Sequence, residues 1–171
     1  MTVSSNARLA GAAYLVYIIG GIGSMAAPPE SRGIFNAVTS FCALTLGVTL
    51  YALTRDVDRD LALIAMGCRL IEAAPGQGEI YFAVGSTIFC WLLLRGALIP
   101  AALAWLGLAS SAGLVALLAV QLTLGTTTNW SSPVTWFVWL PTLIFELAFA
   151  VWLLTKGVTP ATAKAAALQT R

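Results

Sequence analysis

The feature that most constrains this chain is a run without any charged residue, from Gly96 to Phe145. Such a run is much longer than the roughly 20 apolar residues that one helix needs to cross a bilayer. Polar residues interrupt it at 125–133, with the sequence Gly-Thr-Thr-Thr-Asn-Trp-Ser-Ser-Pro, which is typical of a loop. The sequence therefore predicts two membrane helices here, at about 99–124 and 133–155.

The rest of the chain divides in the same way, at prolines and at clusters of charge. Only 9% of the 171 residues are charged and 59% are hydrophobic, which is typical of a membrane protein. Helices are expected because the segments lack the alternation of barrel strands. The first segment is long enough to be a span and is not interpreted as a cleaved signal peptide. The four further predicted spans are about 9–27, 33–53, 61–74 and 80–94.

The spans at 61–74 and 80–94 are short and are separated by Pro75-Gly76-Gln77-Gly78, so they could also form one broken crossing. The distribution of Lys and Arg favours two crossings, because short cytoplasmic loops carry the basic excess. With six crossings one side holds only Arg32. The other side holds Arg8, Arg55, Arg59, Arg95, Lys156, Lys164 and Arg171. The prediction is one all-α domain of six spans over 1–171, with both ends in the cytoplasm and a cytoplasmic tail at 157–171.

Composition also argues against several kinds of site. The chain has no histidine, and Cys42, Cys68 and Cys90 lie in apolar runs without close ligand spacing. No metal site and no cofactor are therefore expected. A net charge of +2 provides no basic surface for nucleic acid. The expected partners are membrane lipid and a hydrophobic small molecule, and the oligomeric state is left open.

Three ionisable residues fall inside predicted spans, where an arginine costs about 2.5–3.5 kcal/mol to insert. At 1.5 Å per residue, Arg69, Glu72 and Glu146 lie roughly 12, 17 and 13 Å from the cytoplasmic ends of their helices. Arg69 and Glu72 are three residues apart and share a helix face, and Glu146 would meet Arg69 if the third and sixth helices touch. Two carboxylates would then compete for one guanidinium. The acid left over is expected to hold its proton and to be able to donate it.

These three residues form the predicted catalytic site, with Glu72 or Glu146 as general acid and Arg69 holding the other carboxylate. The alternative is that Arg69 and one glutamate only join two helices. Additional residues are candidates for ligand binding, although each could instead serve packing or the interface. They are Tyr14, Tyr17, Ser110, Trp139 and Glu79.

Several short segments carry a family resemblance. They are Arg8-Leu-Ala-Gly, Leu50-Tyr-Ala-Leu, Leu61-Ala-Leu, Arg69-Leu-Ile-Glu72-Ala-Ala, Glu146-Leu-Ala and Trp152-Leu-Leu-Thr-Lys156-Gly. Together they resemble the bacterial "domain of unknown function 4386" family of small six-helix membrane proteins. The resemblance implies a location in the bacterial cytoplasmic (inner) membrane and a shared site at the Arg-x-x-Glu pair and Glu146. The chain departs from the family pattern between the third and fourth spans, close to Glu79.

Three functions fit these residues, and the resemblance supplies no activity. The first is an intramembrane enzyme that isomerises or cyclises a lipid-soluble substrate by proton transfer. The second is a proton-coupled transporter of small molecules, although the sequence shows no inverted repeat. The third is a binding or partner subunit without chemistry of its own.

Overall fold

The apolar segments fold as six helices in the computed structural model, which describes residues 2–74 and 78–159. The helices are α1 (Val3–Ala26), α2 (Pro29–Thr54), α3 (Arg59–Glu72), α4 (Gly78–Arg95), α5 (Ala101–Thr123) and α6 (Pro133–Thr155). No strand occurs in these ranges, so the prediction of an all-α protein with six helices is confirmed. All the helices except α3 are long and apolar enough to cross a membrane. The chain is a multi-pass membrane protein.

The helix ends follow local chemistry. Thr2 accepts a hydrogen bond from the backbone of Ser5, and this cap lets α1 begin at Val3 instead of near Leu9. Asp58 caps α3 in the same way by accepting from the backbone of Leu61. Prolines occupy the first positions of α2 and α6, where a missing N–H costs nothing.

The third helix is as short as the span that the sequence predicts, and it begins and ends two residues earlier. It has 14 residues, which is about 21 Å and less than a hydrocarbon core of about 30 Å. It runs antiparallel beside α4, since Asp58 pairs with Arg95 at one end and Cys68 lies against Gly85 further along. The two helices are therefore separate. The predicted turn at 75–77 and the predicted tail from residue 160 onward lie outside the described residues.

The helices form a ring in which each packs against its sequence neighbours and α6 packs against α1. Consequently α3 and α6 lie on opposite sides and do not touch. Ala7 near the start of α1 lies beside Gly157, which follows the end of α6. The backbone N–H of Thr159 donates a hydrogen bond to the carbonyl of Leu98. The beginning of α1 and the end of α6 are thus at the same end of the bundle.

The early end of α3 creates a recess at the opposite end. Gly47 of α2 packs against Arg69, and from that level α2 continues to Pro29, roughly 27 Å further at 1.5 Å per residue. By contrast, α3 ends only three residues later, at Glu72. The buried charges therefore lie at the end of a short helix, below a space that its neighbours enclose.

Close packing of α5 depends on Gly107, one of the small residues at four-residue spacing. A Cβ at this position would lie 2.5 Å from the Phe145 ring and 2.7 Å from Cys90 Sγ. We expect Gly107→Ala to lower the free energy of unfolding by about 1–3 kcal/mol through overpacking. Gly113→Ala on the same helix is the matched control, because nothing lies within 4 Å of its Cβ position. Unfolding in mixed detergent micelles measures both, and equal stabilities would contradict the packing described.

Candidate functional site

A fully buried arginine organises the interior of the bundle. Arg69 is 0% exposed, and its Nη1 donates to both carboxylate oxygens of Glu72 at 2.9 and 3.2 Å. Its Nη2 donates to Ser86 Oγ at 3.0 Å and to the Tyr14 hydroxyl at 3.4 Å. The guanidinium is thus held by side chains from α1, α3 and α4.

The surroundings of this ion pair fix its geometry. The Arg69 guanidinium carbon lies 4.8 Å from the centre of the Phe82 ring, within range of a cation–π interaction. Gly47 leaves room for the arginine stem, because a Cβ there would be 3.0 Å from Arg69 Cβ. The Tyr17 hydroxyl donates to Glu72 Oε1 at 2.6 Å. Glu72 therefore accepts from two residues on two helices, which suits an ionised carboxylate.

Glu146 has a different environment. It is 6% exposed, and its Oε1 has no hydrogen-bond partner in the part of the chain that the structure describes. Because α3 and α6 do not touch, Glu146 does not pair with Arg69, whose ion-pair partner is Glu72. Of the two glutamates that the sequence places near one arginine, Glu72 is the one that binds it.

Both glutamates line the same cavity of about 510 Å³, above the end of α3. Residues of α1, α2, α4 and α6, together with Glu72 of α3 and Trp130, form its walls, and those near the helix ends form its rim. The lining consists of Tyr17, Ile18, Gly21, Ile22, Ser24, Met25, Asn36, Thr39, Ser40, Ala43, Glu72, Gly78, Glu79, Phe82, Trp130, Trp136, Trp139, Leu140, Thr142, Leu143 and Glu146. Since Ser24, Asn36 and Trp136 belong to the rim, the cavity reaches toward the bundle end opposite the chain ends.

A row of five aromatic rings runs along one side of this cavity. Tyr17 stacks on Phe82, and Phe82 stacks on Trp139, with ring centres 6.2 and 5.9 Å apart. Trp130 then contacts both Trp139 and Trp136, at 5.3 and 5.7 Å. Trp139 Nε1 is buried and has no hydrogen-bond partner among the described residues. The row extends from the carboxylate of Glu72 to the rim.

The ligand-binding candidates from the sequence are found at different places. Tyr17, Trp139 and Glu79 line the cavity, and Glu79 accepts a hydrogen bond from Thr128 at the rim. Tyr14 contacts Arg69 from beneath it. Ser110 is not brought to this cavity, because its hydroxyl donates to the carbonyl of Gly107 on its own helix.

Two residues of the site are missing from the sequence prediction. Phe82 and Ser86 both contact Arg69, one by its ring and one by its hydroxyl. The sequence spacing could have predicted both residues, since Phe82 and Ser86 lie on the same helix face as Glu79. In the described ranges no group of three or more metal-binding side chains is found.

The comparisons with known proteins concern the second half of the chain. Residues 76–157 match the family model described as "Domain of unknown function (DUF4386)". Through this half, the chain is similar to the DUF4386 family. The family resemblance in the sequence is thereby confirmed. The match includes Glu79, Trp139 and Glu146, whereas Arg69 and Glu72 precede it. Neither a curated protein nor a solved structure matches the chain.

Proposed function

We propose that this protein binds a lipid-soluble small molecule in the cavity and that Glu146 donates a proton to it. The reaction would be of the isomerase or terpenoid-cyclase type. The observation that carries the proposal is the Glu146 carboxyl, which lines an aromatic cavity and has a buried oxygen without a hydrogen-bond partner in the described chain. A proton donor must reach its substrate, and the position of Glu146 in the cavity lining provides that contact.

The two buried acids have unlike roles in this proposal. Glu72 is ionised because Arg69 and Tyr17 donate three hydrogen bonds to it. Among the described residues no side chain donates to Glu146 Oε1, and an isolated carboxylate in an apolar interior is strongly disfavoured. Glu146 therefore holds its proton in the resting protein and is the general acid. Arg69 is a positioning residue, since its Nη1 and Nη2 groups donate to Glu72, Ser86 and Tyr14.

Protonation of a carbon–carbon double bond is the step that suits this arrangement. The O–H bond of Glu146 breaks, the π electrons form a new C–H bond, and the substrate becomes a carbocation. The ring faces of Trp139 and Tyr17 are negatively polarised and stabilise this charge. The Glu146 carboxylate then takes a proton from a neighbouring carbon, which shifts the double bond and restores the acid.

We also propose an orientation and a location for the chain. The basic residues Arg8, Arg55 and Arg95 belong to the bundle end that carries the chain ends, whereas Arg32 belongs to the opposite end. By the positive-inside rule the first end is cytoplasmic. The cavity then faces the outer side of a bacterial inner membrane, and α3 contributes a short sixth pass.

Proton-coupled transport is a second candidate that uses the same carboxyl. The observation that favours it is the one-sided cavity, because the other bundle end is closed by a core that includes Leu46, Leu50, Leu93 and Leu153. A carrier would alternate between two such states. Transport is measured as uptake of a small molecule into proteoliposomes. Uptake that is lost in Glu146→Gln, with the molecule chemically unchanged, would favour this candidate.

The substrate can be sought with a variant that fills the cavity. Gly21 lines the cavity, and nothing lies within 4 Å of its Cβ position, so Gly21→Leu places a side chain in the space without a backbone clash. Gly33→Leu is the control, since Gly33 has the same freedom away from the cavity. Lipids that co-purify with each protein are identified by mass spectrometry. We expect one molecule to co-purify with the wild type and with Gly33→Leu but not with Gly21→Leu.

The reaction itself is tested in deuterated water with that molecule. The wild-type protein should introduce deuterium at carbon, because the exchangeable proton of Glu146 is delivered there. A retained molecule without deuterium at carbon would contradict the enzymatic proposal. Equal lipid retention by all three proteins would contradict the cavity as the binding site.

A further inference from the structure

The acidic and basic side chains among the described residues that line the cavity are all carboxyl groups. Glu72, Glu79 and Glu146 are in its wall, and no lysine or arginine is among the described residues that line it. Arg69 lies behind the wall, where Glu72 occupies its Nη1. A molecule entering the cavity therefore meets carboxyl groups at the rim and at depth, with no basic side chain to receive an anionic group.

The aromatic row adds to this preference. Ring faces attract cations because their quadrupole is negative, and the attraction grows when water is excluded. Tyr17, Phe82 and Trp139 follow one another with nearly parallel rings, 11° apart at each step. Next to them, Glu146 is more than nine-tenths buried and its Oε1 has no hydrogen-bond partner in the described ranges. Phe82 already contacts Tyr17, Trp139 and Arg69, so the Glu146 carboxyl and the rings of Tyr17 and Trp139 are together the site for positive charge.

We infer that the cavity selects lipophilic cations of the ammonium class over neutral or anionic molecules of the same shape. The inference deepens the proposed function, on which it rests for the role of Glu146 as the group that exchanges a proton. A lipophilic ammonium ion resembles the carbocation of the proposed reaction in charge and in its apolar surface. Phosphate and diphosphate esters are disfavoured, since the wall that the described residues form has no cation to pair with them.

Binding of a cation changes the protonation of the site. The titratable and charged groups that face Glu146 are Tyr14 and Tyr17 of α1, Arg69 and Glu72 of α3, and Cys90 of α4. Arg69 is already neutralised by Glu72, so the entering cation is the counter-ion that lets Glu146 release its proton. Binding is therefore accompanied by proton release and is stronger at higher pH.

The test uses two probes of matched shape and opposite charge, tetraphenylphosphonium and tetraphenylborate. Their dissociation constants are measured with the purified full-length protein in lipid nanodiscs. We expect the phosphonium to bind more tightly than the borate. Trp139→Leu and Glu146→Gln should each weaken phosphonium binding about five- to thirtyfold and leave borate binding unchanged. Trp105→Leu is the matched control, because Trp105 is exposed on α5 and does not line the cavity.

The outcomes separate this inference from the proposed function. Equal affinity for both ions, or tighter binding of the borate, overturns the inference, and so does a phosphonium preference that both variants retain. Trp139→Phe keeps an aromatic face and should preserve the preference for phosphonium over borate. If Trp139→Leu does not fold, loss of that preference in Trp139→Phe overturns the inference. Deuterium transfer in the experiment above fails or succeeds independently of these affinities.

Discussion

Glu72→Gln is expected to lower the free energy of unfolding by about 3–5 kcal/mol, because it removes the charge that compensates a buried arginine. Arg69 is 0% exposed and the Glu72 side chain is 5% exposed, so water cannot replace the lost carboxylate. Glutamine keeps the size of the side chain, and its carbonyl can still accept one hydrogen bond. The loss therefore measures the charge and not the packing. Equilibrium unfolding in mixed detergent micelles gives the difference.

A double variant provides the control for this prediction. Arg69→Met with Glu72→Met removes both charges, and replacement of a buried pair by apolar side chains is commonly neutral or stabilising. Its stability should exceed that of Glu72→Gln. A Glu72→Gln protein within about 1 kcal/mol of the wild type would show that the pair is solvated like a surface ion pair, which contradicts the buried geometry.

Glu146→Gln is expected to reduce proton transfer to the substrate about 10²–10⁴-fold, the usual contribution of a general acid. Glutamine has the same shape but no acidic proton. Stability should change by less than about 0.5 kcal/mol, because the structure gives Glu146 no ion pair and no hydrogen bond to Oε1 within the described residues. Rates of deuterium incorporation measure the first effect, and unfolding measures the second.

Glu30→Gln is the matched control for this substitution, since it makes the same change at an exposed carboxylate in the first turn of α2. It should leave both quantities unaltered. A large loss of stability in Glu146→Gln with unchanged deuterium incorporation would assign Glu146 a structural role and reject it as the acid.

Much of the fold follows from the sequence because the bilayer restricts what the chain can do. The uncharged run from Gly96 to Phe145 must contain a loop, and the polar break at 125–133 falls between α5 and α6. The common helix face of Arg69 and Glu72 also follows, since they are three residues apart, although the sequence leaves open which glutamate binds Arg69. These features depend on local spacing alone.

The features that the sequence does not reveal depend on which helices touch. Hydropathy leaves the order of helices around the ring open, so the separation of Glu146 from Arg69 requires the structure. The recess has the same character, because the sequence predicts a short third helix but does not show which neighbouring helices extend beyond its end. Ser86 was missed because a serine in an apolar helix is more often bonded to its own backbone.

The central claim concerns protonation, and infrared spectroscopy of the carboxyl groups tests it most directly. A protonated carboxylic acid in an apolar site has a C=O stretching band that ionised carboxylates lack. At neutral pH the wild-type protein should show this band, Glu146→Gln should lose it, and Glu30→Gln should retain it. A wild-type spectrum without the band, or a band that persists in Glu146→Gln, would contradict the assignment of Glu146 as the protonated acid.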